Sequence, residues 1–167
     1  MLATVTYKIT STKGSFKMEL TPIFEVVRIK QIIKESSEPF ASYTIRSPED
    51  AQKLAMHHIA DEDREVFLVM CLNTKNQVIA LHRAHVGSLN ASIVHPRDVM
   101  KCAILNNASS IIVSHQHPSG NPQHSREDLE VTKRLAEAGK IIGIELLDHV
   151  IVSYTGNHVS LKEKGYL

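Results

Sequence analysis

The stretch 110–138, SIIVSH, then QHPSGNPQH, then SREDLEVTKRLAEA, constrains the fold more than any other part of the chain. A short run of apolar and β-branched residues reads as a buried strand. Two prolines, a glycine and an asparagine in 118–124 interrupt helix and strand alike, so a loop follows. From Ser125 a helical pattern runs to about Ala138 and is closed by Gly139. A strand passed through one loop into an amphipathic helix is a unit of α/β architecture.

The rest of the chain repeats this alternation from residue 48 onward. Ser47 as N-cap, Pro48 at the first helical position, and Glu49 and Asp50 in the first turn introduce Ala51, Leu54, Ala55 and Ile59 at helical spacing, predicting a helix over about 48–60. EVFLVMCL at 65–72 and QVIALHRAHVG at 77–87 flank NTKN and read as a β-hairpin with both strands at least half buried. A second amphipathic helix spans Pro96 to Ala108. IELLDHVIVS at 144–153 is the last long strand before a small polar tail. The expected fold is α/β with a mixed sheet. Residues 1–45 contain only fragments of alternation and an aperiodic apolar run, 22–33, and are expected to form an N-terminal extension or docking segment ahead of one domain over 46–167.

A length of 167 residues with 43% hydrophobic content suits a single core. The formal charge of +1 gives no general basic surface for nucleic acid or anionic membrane. Cys71 and Cys102 lie in apolar stretches without C-x-x-C spacing, which suits core packing in a reducing compartment. MLATVTYKIT has no basic region leading into an apolar run, and no stretch approaches the ~18 apolar residues of a membrane span. A cytoplasmic protein is expected.

On an extended strand His115 and His117 point to one side while Gln116 faces away. Imidazole and carboxylate are normal zinc ligands, and three of them leave one position open for chemistry. Ser125 and Asp128 form S-x-x-D before an apolar helix, a capping signature. Because that helix starts one loop beyond the histidines, Asp128 is also available as a third ligand. Ser125 can then cap, orient water or bind a developing oxyanion. Such a site still needs a base to carry the proton to a leaving amine. Glu65, before a strongly apolar strand, is the candidate, against a reading of DEDRE at 61–65 as a solvated turn.

At this point a family is recognisable. EVFLVMCLNTKNQVI, the run from PRDVMKCAILNN to LLDHVIV, and the order Glu65, His115, His117, Ser125, Asp128 resemble the RadC-type branch of the JAMM (MPN-type) metallopeptidase domains over about residues 46–167. The family pattern is an upstream glutamate, then H-x-H, seven residues, serine, two residues and aspartate, and the chain keeps every spacing. The resemblance implies one zinc ion held by His115, His117 and Asp128, Glu65 as the base, and Ser125 stabilising a tetrahedral intermediate. It also implies a curved mixed β-sheet flanked by helices, of cytidine-deaminase-like architecture, with zinc at the sheet's edge. Full-length RadC proteins resemble a fusion with an N-terminal helix-hairpin-helix region, for which this chain has too few residues, so a DNA-related role transfers poorly.

The remaining histidines are expected to be structural. His58 sits on the apolar stripe of the first helix. His82 and His85, three apart on a strand, should face opposite sides. His149 is opposite in face to Asp148 and is expected near the site as support, while His124 is the nearest spare donor. The leading expectation is zinc-dependent hydrolysis of a peptide or isopeptide bond in a peptide or protein substrate. The alternative is a non-catalytic or nucleic-acid-associated accessory module, of repair or mobile-element type. H-E-x-x-H, the deaminase P-C-x-x-C and a G-x-x-x-x-G-K loop are all missing, and an amidohydrolase barrel needs ~250 residues.

Overall fold

The computed structural model describes residues 31, 43–87 and 94–167, so most of the expected N-terminal extension lies outside the described residues. Every element lies within the unit Lys34–Leu167. In chain order these are α1 (Pro48–Ile59), β1 (Val66–Leu72), β2 (Val78–Val86), α2 (Pro96–Leu105), β3 (Ser110–Gln116), α3 (Arg126–Ile142), β4 (Glu145–Val152) and β5 (His158–Ser160). The strands form one sheet in the order β2-β1-β3-β4-β5. β3 and β4 are parallel, joined through α3, and the other neighbours are antiparallel. The sheet is therefore mixed and flanked by helices, as expected.

All seven residues of β1 are buried, which explains an apolar run without alternation. Phe67, Val69 and Cys71 enter one core with Val99, Met100 and Ala103 of α2 and Val131 and Leu135 of α3. Val66, Leu68, Met70 and Leu72 enter the other with Ala51, Leu54, Ala55 and Ile59 of α1. Two-residue periodicity thus divides one strand between two cores, with α1 on one face of the sheet and α2 and α3 on the other. The chain joins this sheet ahead of α1, where Thr44 bridges Gln77 and the Ile45 N–H donates to the Asn76 carbonyl at 2.9 Å.

Several local expectations change. α3 does not stop at Gly139 but continues to Ile142 and ends on Gly143, whose φ of +82° is the left-handed cap geometry. Gly139 is there for proximity instead: a Cβ on it would lie 2.4 Å from the Ile144 carbonyl oxygen and 3.3 Å from Met100 Cε. β2 is the sheet's edge and none of its residues is fully buried. The polar tail contains β5, which pairs with β4. A bulge between Phe67 and Leu68 shifts the register, so His85 opposes Phe67 and His82 opposes Val69. Both histidines therefore share the α2/α3 face, where strict alternation placed them on opposite faces. Burial and nearby Lys101 push the His82 imidazolium below its ordinary range.

Candidate metal centre

β3 ends the buried sheet at Gln116, and the chain turns immediately through His117. The His117 N–H still donates to the Val152 carbonyl of β4 at 3.0 Å, so the second histidine remains anchored to the sheet. Gly120, at φ +79°, closes the loop with its N–H on the His117 carbonyl, a backbone state that a side chain resists. The loop then delivers Ser125 as the N-cap of α3. Its hydroxyl accepts from the Asp128 N–H at 3.1 Å, while the Ser125 N–H and O–H each donate to Asp128 Oδ2 at 2.7 Å. The capping reading therefore holds, and the same bonds fix the aspartate.

This cap turns Asp128 toward the histidines. His115 Nε2 lies 3.2 Å from Asp128 Oδ1 and 3.0 Å from His117 Nε2, and His117 Nε2 is 3.7 Å from Oδ2. Among the described residues these three form the only cluster able to hold a metal ion, its donor atoms all within 4.8 Å of one another. His117 Nδ1 sits 2.8 Å from the Asn121 carbonyl, which can only accept, so Nδ1 carries the proton and Nε2 offers its lone pair. The His117 lone pair and the Asp128 carboxylate facing one point repel unless a proton or a cation sits between them. The residues thus fit a metal ion with an N₂O donor set.

Electrostatics agree with that fit. Burial alone would raise the Asp128 carboxyl, but the neighbouring His115 and the Ser125 N–H and O–H donors hold it below the usual carboxylate range. Behind His115, the fully buried His149 places Nε2 2.8 Å from His115 Nδ1, and Thr132 Oγ1 lies 2.6 Å from His149 Nδ1. Burial, and then the nearby His115, push the His149 imidazolium well below the ordinary range. The Phe67 ring stacks on His115 at 6.1 Å and meets His149 edge-on at 5.5 Å, sealing the inner wall.

Glu65 precedes β1, and its carbonyl accepts from the Gly87 N–H at 2.8 Å. Antiparallel register pairs Phe67 with His115, so Glu65, just ahead of β1, and His117, just past β3, lie at the same end of the sheet. Gln116 contributes something the sequence did not reveal. Its side chain turns away from the metal ligands, as alternation requires, yet its Oε1 accepts from the Val66 N–H at 2.9 Å and its Nε2 donates to the Arg64 carbonyl. One amide therefore clamps the backbone on both sides of Glu65. No residue-level signal could have shown this, because the partners are main-chain groups fifty residues away.

The spare histidines do not join the cluster. His124 packs edge-on against Tyr166 at 4.9 Å. His149 lies directly behind His115, and Asp148 on the opposite face accepts from Ser160 Oγ at 2.6 Å and the Lys162 N–H at 3.1 Å, holding the C-terminal turn. Cys71 and Cys102 are free and their sulfurs are 3.8 Å apart. Among the described residues no helix is long and apolar enough to cross a membrane.

A strand-end histidine pair completed by an aspartate from the next helix defines an α/β domain with a cluster that could hold a metal ion. The profile of the RadC-like JAB domain matches residues 45–166, and the chain belongs to that family. It is 51% identical over 160 residues to a UPF0758 protein of Geobacillus sp. (strain WCH70), covering 96% of this chain and 70% of the relative. A UPF0758 protein of Caldanaerobacter subterraneus subsp. tengcongensis is 55% identical over 125 residues, 75% of this chain and 53% of the relative. A UPF0758 protein of Bacillus cereus (strain AH187) is 56% identical over 127 residues, 75% and 55% of the two chains.

Proposed function

We propose that this chain is a zinc-dependent hydrolase of peptide or isopeptide bonds, acting on a peptide or protein substrate in the cytoplasm. The observation that carries the reading is the convergence of two imidazole nitrogens and one carboxylate at the edge of a sheet. Three protein ligands of this type leave a zinc position for water or substrate, whereas a closed structural site uses four. A bound zinc supplies Lewis acidity and lowers the pKa of water toward ~7.

The chain's own groups do the rest. His115 and Asp128 are buried and His117 is partly exposed, so substrate approaches from the His117 side. Glu65, at the same sheet end as His117, takes the proton of the attacking water as the C–O bond forms. It returns that proton to the amine nitrogen as the C–N bond breaks, so the glutamate ends unchanged. The Ser125 hydroxyl proton is committed to Asp128 Oδ2, and stabilising an oxyanion would require that hydroxyl to swing off the carboxylate. Its first task is to hold the ligand.

The test is the Glu65→Gln variant on a panel of peptides and isopeptide-linked conjugates. Zinc-loaded wild type should cleave at least one class, and the variant should lose about 10²–10⁴-fold in turnover while retaining zinc. A fully active Glu65→Gln protein would remove Glu65 from the base role. A zinc-loaded wild type inert across the panel would count against the hydrolase itself.

A further inference from the structure

The hydrogen bonds behind the metal centre have only one consistent direction. Thr132 Oγ1 donates its single proton to the Asp128 carbonyl at 2.6 Å, since a carbonyl can only accept. The 2.6 Å contact between Thr132 Oγ1 and His149 Nδ1 must then be donated by the imidazole. His149 is completely buried and its ring nitrogens meet only Thr132 Oγ1 and His115 Nδ1, with no carboxylate to balance a second proton, so with Nδ1 protonated its Nε2 is bare and accepts. The 2.8 Å contact to His115 Nδ1 must therefore be donated by His115. This leaves His115 Nε2 with its lone pair facing His117 and Asp128.

We infer that Thr132 and His149 are positioning residues that lock His115 in the Nδ1–H tautomer and so prepare its Nε2 for the metal. The inference rests on the metal-centre reading above. The relay begins at His115 on β3, crosses β4 at His149, and ends on α3 at the main chain of Asp128, itself a proposed ligand. Two ligands from different elements are thus tied together by a route that does not pass through the metal. A histidine ligand commonly needs a second hydrogen-bond partner to set its tautomer and ring orientation. Here that acceptor is another histidine, which has no intrinsic preference between tautomers, so the choice falls to the Thr132 hydroxyl. Nothing about Thr132 in the sequence suggests this, because its hydroxyl could equally serve its own helix.

The first measurement is the ¹H–¹⁵N correlation pattern of the histidine ring nitrogens in metal-free wild type, assigned by single substitutions. His115 and His149 should both be protonated at Nδ1. His115 protonated at Nε2 would overturn the inference without recourse to any variant. The second is zinc affinity by chelator competition for Thr132→Val, which keeps the shape and removes the hydroxyl, beside Thr132→Ser, which keeps the hydroxyl. Thr132→Val should bind zinc about 10–100-fold more weakly, with Thr132→Ser close to wild type. Wild-type affinity in Thr132→Val, or equal losses in both variants, would overturn the role of the hydroxyl. A wild type that takes up no zinc would sink the metal reading, while the tautomer, read on metal-free protein, tests the relay separately.

Discussion

Replacing Ser125 by alanine separates its helix-capping role from any part in chemistry. The substitution deletes two bonds of the serine oxygen: the 3.1 Å acceptance from the Asp128 N–H and the 2.7 Å donation to Asp128 Oδ2. The Ser125 main-chain N–H keeps its own 2.7 Å bond to the carboxylate, so Asp128 is loosened but not released. Loss of an N-cap side chain costs about 1 kcal/mol, and loss of a donor to a charged group about 1.5–3 kcal/mol. The two share one side chain and do not simply add, so about 1.5–3 kcal/mol is expected in total. For a domain of this size that is a fall in Tm of roughly 3–12 °C. Urea unfolding of metal-free protein at neutral pH, followed by far-ultraviolet circular dichroism, measures it directly. Ser125→Thr, which restores the hydroxyl, should recover most of the loss. A loss below about 0.5 kcal/mol in Ser125→Ala would refute the idea that this cap organises the site.

Gln116→Leu should destabilise the protein by about 1–3 kcal/mol in the same assay, because the buried Val66 N–H loses its 2.9 Å partner. Unchanged stability would show that the amide clamp contributes nothing to holding the Glu65 segment. Cys102 should be the reactive thiol: its hydrogen bond with Cys71 and a further one from Asn106, against the opposing effect of burial, push it down to about 7, while Cys71 is pushed up. The rate of iodoacetamide alkylation at Cys102 should therefore rise with a midpoint near pH 7, and a midpoint near the ordinary value of 9.0 would contradict this.

The elements that alternation and capping define are legible in the sequence alone. α1, β1, β3 and the start of α3 follow from Ser47–Pro48, from an apolar run too short for a helix, and from Ser125 with Asp128. Misread features were those set by long-range contact. Gly139 looks like a helix stop in sequence, but it sits in mid-helix because the Ile144 backbone passes too close for a Cβ. His82 and His85 share a face because of a bulge, which no local pattern announces. β5 is only three residues long, and its pairing with β4 is what makes it a strand. The candidate ligands were legible because four of the five motif residues lie on one strand–loop–helix unit. Thr132, His149 and Gln116 were obscure in role because each acts through a partner from elsewhere in the chain: Thr132 through His149, His149 through His115, and Gln116 through the main chain of Arg64 and Val66.

The central claim is that His115, His117 and Asp128 form a zinc site. Zinc should be quantified by mass spectrometry in protein purified without added metal and again after reconstitution, beside Asp128→Asn prepared in the same way. The account predicts about one zinc per chain in the wild type and its loss in the variant, since the carboxylate supplies the third ligand. No zinc in the wild type even after reconstitution, or full retention by Asp128→Asn, would contradict it.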